Sequence, residues 1–215
     1  MMKNHSLLNR VQSGTAGILQ GLIELYMDLH AHPELSMQET VTAEKMAEHL
    51  KRCGFQVTTG IGETGVVGVL KNGDGPVVML RADMDALPVQ EETELPFASR
   101  VVATDRSGNP VHVMHACGHD IHMTCLAGAA QLLADLRTEW HGTLIALFQP
   151  AEETSEGARA MIADNLFGRF PRPDVILGQH VINTPAGLVN VPIGPAASTG
   201  DSLLIRLIGR GSHGA

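Results

Sequence analysis

Apolar positions along the chain fall into two regimes, one at helical spacing and one in short continuous runs. From about 16 to 30, AGILQGLIELYMDLH carries apolar residues at helical spacing. His32-Pro33 ends that run, because proline disfavours a helical residue before it. Ser36-Met37-Gln38-Glu39 has the form of a capping box and predicts a second helix to about Arg52, with Gly54 as its stop. The pattern then shortens: FQVTT at 55–59, GVVGVL at 65–70 and PVVML at 76–80 read as strands. A helix rich in small residues is predicted at about 118–136, a buried strand at 143–148 (TLIALF), and a helix over SEGARAMIADNLF. DVILGQHV at 174–181 is a further apolar strand, followed by two more in GLVNVPI and SLLIRLI. Helices alternating with continuous apolar strands predict an α/β domain with a largely parallel sheet and flanking helices.

One motif needs a decision before any chemistry is assigned. Gly60-Ile61-Gly62-Glu63-Thr64-Gly65 matches the glycine spacing of a dinucleotide-binding turn. That turn needs a helix opening at its third glycine, so that the helix N-terminus holds the pyrophosphate. Here the third glycine leads into Val-Val-Gly-Val-Leu, which is strand chemistry, so the glycines are read as a hairpin-type connection.

The polar residues are placed more tellingly. PVVML is followed by Arg81-Ala82-Asp83-Met84-Asp85, TLIALF by Gln149-Pro150-Ala151-Glu152-Glu153, and DVILG by Gln179-His180. Three apolar strands each deliver acids or a histidine at their C-terminal tips, where ligands bind in open α/β sheets. A fourth contributor, His112 to His122, packs four His, one Cys and one Asp into eleven residues ahead of the long helix. Thiolate and imidazole are the usual ligands of borderline-soft divalent metals, and carboxylates complete such sets. Gly118 lets the backbone bend so that Cys117 and His119 converge, and the helix N-terminus favours the thiolate of Cys117. With Glu153 and His180, a site of S, N, O and N donors can be assembled. Each of these residues alone has a plain structural reading; their joint placement at strand tips makes the case. Cys53, Cys125 and His49 lie on helix patterns and are read as structural.

Composition narrows the classes of function. The chain has 215 residues, 44% of them hydrophobic and 18% charged, which excludes disorder as a whole-chain reading. The net charge of −8 and few aromatic residues argue against nucleic acid as a partner. No stretch approaches the ~18 apolar residues of a membrane span. No signal peptide is evident, and three cysteines make no disulfide framework, so a cytoplasmic location is expected.

Adjacent glutamates after a strand are expected to point in different directions, one to bind metal and the other to face the reacting water. A metal lowers the pKa of water and polarises a carbonyl, while a nearby carboxylate moves the proton to a leaving nitrogen. That chemistry suits amide hydrolysis. The alternatives are a cysteine hydrolase using Cys117 as nucleophile and a non-catalytic metal-binding derivative.

At this point the residues resemble a known family. RADMDALPVQE (81–91), HACGHDIHM (115–123), FQPAEETSEGA (148–158), GQHV (178–181), GRGSHGA (209–215) and LHAHPELSMQE (29–39) look like the M20 metallopeptidases, in their amidohydrolase branch. The resemblance implies a zinc-exopeptidase-like α/β catalytic domain with an inserted α+β lid and dimerisation domain. It places residues 1–195 in the N-terminal part of the catalytic domain and 196–215 at the beginning of the lid. It implies a metal-dependent amidohydrolase acting on small-molecule N-acyl amino acids of the hippurate type, as a homodimer formed through the lid. Cys117, His119, Glu153 and His180 match the branch's metal ligands, and Glu152 its general acid/base. Asp85 matches an active-site Asp that orients a ligand. Asp83 stands where other members place a metal-binding His and is not counted as a ligand. His213 matches a lid histidine that steadies the oxyanion in a neighbouring subunit's site. Two divalent ions per site are implied, with zinc, manganese, cobalt and nickel all compatible with the donors. Family members are nearly twice this length and take their last metal-binding His from a later segment. The 215 residues alone are therefore expected to bind metal weakly and to turn over little.

Overall fold

A computed structural model describes residues 2–195, 205, 206, 208 and 209, and residues 1–181 form one compact unit, separate from 182–215. The first unit contains helices α1 (Met2–Ala31), α2 (Thr40–Arg52), α3 (His119–Asp135), α4 (Gly157–Ala163) and α5 (Leu166–Arg169). Its strands are β1 (Gln56–Ile61), β2 (Gly65–Asn72), β3 (Val77–Asp83), β4 (Val102–Thr104), β5 (Pro110–His112), β6 (Gly142–Gln149) and β7 (Val175–Gly178).

Five strands form one sheet in the order β1-β2-β6-β3-β7, and β4 and β5 form a separate hairpin. β6, β3 and β7 run parallel, whereas β1 and β2 add an antiparallel hairpin at one side. Alternation along the strands builds a core on each face. Leu144, Ala146 and Phe148 join Val66, Leu70, Met46, Leu50, Met123 and Leu126 beneath the α1–α3 layer. Ile145 and Leu147 point the other way, with Val67, Val69, Met161 and Leu166 beneath α4 and α5. β6 therefore reads as a continuous apolar run because both its faces are covered. Close approach of α1 and α3 depends on Gly128, where a Cβ would stand 2.7 Å from Leu22 Cδ1.

Several expectations change here. α1 begins at Met2 rather than near residue 16, since nothing in the polar segment before it breaks a helix. The capping box is not used: α2 has no side-chain cap from Ser36, and the Glu34 carboxylate instead accepts the N–H groups of Val41 and Thr42 at 3.2 and 2.7 Å. Ser36 and Glu39 have been drawn into tertiary hydrogen bonds described below. The helix expected over 155–167 is split at Asn165, which is left-handed with φ 58°. β7 stops at Gly178, and residues 187–193 form no strand, with Val189, Val191 and Ile193 largely exposed. The run at 202–208 lies mostly outside the described residues. The glycine-rich turn is a hairpin between β1 and β2, with Gly62 at φ +61°, where a Cβ would meet the backbone N of Met161 at 2.5 Å.

Candidate metal centre

Because β3, β6 and β7 are parallel, their C-terminal tips lie at one end of the sheet. Asp83 pairs with Gln149 and Arg81 with Gly178, so Asp85, Glu152-Glu153 and His180 follow directly from neighbouring strands. Helix α3 starts at the same end, with Cys117 and His119 on either side of its N-cap, Gly118. That glycine is left-handed, φ +80°, and a Cβ there would lie 2.5 Å from Val181 Cγ2.

His119 is fully buried and held by one nitrogen only. Its Nδ1 donates to the backbone carbonyl of Asp85 at 2.7 Å, which leaves Nε2 aimed into the site without a partner. Around Nε2 stand Glu153 Oε1 at 3.7 Å, Glu152 Oε2 at 3.8 Å and Asp83 Oδ2 at 3.8 Å. Glu153 Oε1 is likewise buried and unpartnered. His180 Nδ1 donates to the Val181 carbonyl at 2.6 Å, and its Nε2 lies 3.4 Å from Cys117 Sγ. Cys117, His119 and His180 thus offer ligand atoms within 4.8 Å of one another, as do His119, Glu152 and Glu153. Buried polar atoms are normally hydrogen-bonded. Two orphaned ones facing each other among S, N and O donors fit a divalent cation.

Electrostatics points the same way. Burial, followed by the Glu153, Glu152 and Asp83 carboxylates, pushes the Cys117 thiol up to about 12. Burial and carboxylate proximity together outweigh the expected helix effect, and a cation is needed to make the thiolate at neutral pH. Burial pulls the His119 pKa down, but Asp85, Asp83 and Glu153 overcome it and raise it. The cluster attracts positive charge.

The acid pair differs from expectation in direction, since both carboxylates reach toward His119. What separates them is exposure: the Glu152 side chain is 41% exposed and that of Glu153 19%. Asp85 acts chiefly on the loop that carries them. Its carboxylate accepts the Glu152 N–H at 2.9 Å, the Glu153 N–H at 3.0 Å and the Ser36 hydroxyl at 2.6 Å, while its Oδ1 stays 3.5 Å from His119 Nδ1. Burial opposes ionisation of Asp85, yet the nearby His119 together with these bonds holds its pKa below the usual range. Glu39, fully buried, adds a second brace by accepting the Ala151 N–H at 2.8 Å and the Thr64 hydroxyl at 2.6 Å. Ala151 is left-handed at φ 46°, a conformation that needs such support.

Four further residues stand at the site without being named as site residues from the sequence: Ser36 and Glu39, expected only as a capping box, and Arg81 and His122, although all four lie in the motifs quoted above. Asp83 is engaged on both oxygens, by His122 Nδ1 at 2.7 Å and Arg81 Nη1 at 2.7 Å. Burial works against its ionisation, but the His122 hydrogen bond and the positive charge of Arg81, with His119 nearby, hold its pKa at about 2. His213 lies outside the described residues.

The profile of peptidase family M20/M25/M40 matches residues 79–197, more than half of the chain. This chain belongs to that family. The M20 chain is 45% identical over 202 residues to the hippurate hydrolase of Campylobacter jejuni, covering 92% of this chain and 49% of the relative. It is 40% identical over 189 residues to the N-acyl-L-amino acid amidohydrolase of Geobacillus stearothermophilus, covering 87% and 48%. The crystal structure of the Bacillus subtilis YXEP protein, a dinuclear metal binding peptidase from the M20 family, superposes with a TM-score of 0.67 at 40% identity. That match covers 77% of this chain and 43% of the other. The M20 chain spans about half the length of these relatives. Among its described residues no helix is long and apolar enough to cross a membrane.

Proposed function

We propose that the whole protein is a metal-dependent amidohydrolase that splits N-acyl amino acids of the hippurate type into a carboxylic acid and an amino acid. Cys117, His119, Glu153 and His180 would hold a divalent cation, with zinc, manganese, cobalt and nickel all suited to the donors. When bound, such an ion supplies Lewis acidity, polarising the scissile carbonyl and acidifying water. Glu152 takes one proton from the attacking water and delivers it to the leaving nitrogen as the carbon–nitrogen bond breaks. Asp85 and Glu39 hold the backbone that aims Glu152. The lid expected from residue 196, dimerisation through it and the oxyanion role of His213 belong to the same reading; a monomeric whole protein in sedimentation would remove the dimer from it.

The observation that carries the reading is the buried, unpartnered pair His119 Nε2 and Glu153 Oε1, 3.7 Å apart, with the more exposed Glu152 beside it. The test is turnover of N-benzoylglycine by the metal-loaded whole protein. Glu152→Gln is expected to keep the metal and lose about 10²- to 10⁴-fold in kcat; full activity in that variant would overturn the mechanism. The Cys117–His180 approach also admits a cysteine hydrolase. A thiol pushed up to about 12 is a poor nucleophile, and thiolate is the attacking species. Inactivation by alkylation in the absence of metal, with no loss on chelation, would favour that second reading.

A further inference from the structure

His122 is buried completely and is not among the proposed ligands, yet both its ring nitrogens are engaged. The Val181 backbone N–H points at His122 Nε2 at 2.9 Å. A backbone N–H can only donate, so Nε2 carries no proton and Nδ1 must carry one. Nδ1 lies 2.7 Å from Asp83 Oδ1, an acceptor. Asp83 therefore selects the one neutral tautomer that can receive the Val181 N–H.

The main chain of the same residue holds the other side of the segment. The Gln179 side-chain amide donates to the His122 carbonyl at 2.9 Å. Residues 179 and 181 both hang on residue 122, and His180 sits between them. Its ring lies across that of His122, with centroids 4.5 Å apart and planes at 60°. β7 has ended at Gly178, so no strand continues through this segment. Among the described residues, the side-chain hydrogen bonds that tie 179–181 to the rest of the chain run to His122 and to Cys117.

We propose that His122 is a positioning residue: with its tautomer set by Asp83, it clamps residues 179 and 181 so that His180 Nε2 faces Cys117. The proposal rests on reading His180 as a metal ligand. Both His122 nitrogens being engaged, it also removes His122 from the ligand set, although Asp83, His119 and His122 lie close enough to hold an ion.

Two substitutions of similar polarity separate this clamp from simple packing. An Asn side chain reproduces the Nδ1 donor toward Asp83 but does not reach Val181. A Gln side chain places an acceptor oxygen near the Nε2 position. Zinc affinity is measured on the full chain by competition with a chelating dye, beside the thermal midpoint of each metal-free variant. His122→Asn is expected to weaken zinc binding about 10- to 100-fold, while His122→Gln stays within about threefold of the parent, the range set by keeping that one bond. Side-chain nitrogen NMR of the metal-free parent is expected to show His122 protonated at Nδ1 alone, a readout that needs neither variant to fold. A proton on Nε2, or equal affinities in the two variants, overturns the clamp. A parent that binds zinc no better than His180→Ala overturns the metal-centre reading, and the clamp with it.

Discussion

Glu153 and His180 belong to the same proposed ligand set, but they are held by opposite kinds of structure. Glu153 follows β6, an internal strand with seven of its eight residues buried, whereas all four residues of β7, which leads to His180, are exposed. On the β6 side, buried groups brace the loop: Asp85 and Glu39 accept three backbone N–H groups from residues 151–153. On the β7 side, His122 and Cys117 supply the side-chain hydrogen bonds from outside the segment. Among the described residues, one half of the candidate centre is pre-organised by the core, and the other depends on a few polar contacts beside the outermost strand of the sheet.

The contrast can be pressed hardest at His30, which anchors the helix carrying His119. Its Nδ1 lies 2.6 Å from Asp120 and its Nε2 2.9 Å from Glu91, and both carboxylates are buried. Both nitrogens can donate at once only as the imidazolium. His30→Ala removes the cation between two buried carboxylates, leaving Glu91 only the Thr93 hydroxyl and Ser99 N–H and Asp120 only the Ile121 N–H, and is expected to cost about 3–5 kcal/mol in denaturant unfolding. Burial opposes the charge on His30, but the hydrogen bonds to Glu91 and Asp120 overcome it and raise the pKa. A raised folded-state pKa contributes stability that is complete below the unfolded value of about 6.5 and is lost as pH rises through the folded value. The advantage of the parent over His30→Gln should therefore shrink as pH rises above neutral; growth with pH would refute the imidazolium.

Next in size is the core itself. Ile145→Ala on β6 is expected to destabilise by about 2–5 kcal/mol, because Ile145 is fully buried and leaves a cavity. Asp85→Asn follows, at about 1–3 kcal/mol, since an amide offers one acceptor oxygen to groups that a carboxylate serves with two. Its unfolding midpoint should fall without loss of secondary structure by circular dichroism. The smallest effect is expected at Ile176→Ala on β7, where the side chain is 53% exposed and the cost should stay within about 0.5 kcal/mol. A loss at Ile176 equal to that at Ile145 would erase the distinction between the two sides.

Much of this was legible beforehand, and the residues show why. Strand tips ending in Asp83-Met84-Asp85, Glu152-Glu153 and His180 predicted convergence, because parallel strands bring equivalent ends together. Cys117-Gly118-His119 was legible as a candidate metal-ligand pair from donor chemistry alone. Ser36 and Glu39 were misread because a capping box and a tertiary brace use the same hydroxyl and carboxylate, and only the partners distinguish them. The direction of the thiol pKa was missed for a similar reason: the helix N-terminus is visible in sequence, whereas the burial of Cys117 and the carboxylates of Glu153, Glu152 and Asp83 beside it come from tertiary neighbours.

Local periodicity was enough to place the main strands and helices and to name a candidate metal-binding donor set, because backbone pattern and donor type are properties of short segments. The family membership was legible in the same motifs. Which carboxylate braces, which one faces the site and which histidine nitrogen carries a proton were decided only when β3, β6, β7 and α3 met. Those assignments depend on hydrogen-bond partners far apart in the chain: Asp85 with Glu152 and Glu153, Asp83 with His122, and His122 with Val181. A side chain's type sets what it can donate or accept, and its tertiary neighbours set which of those capacities is used.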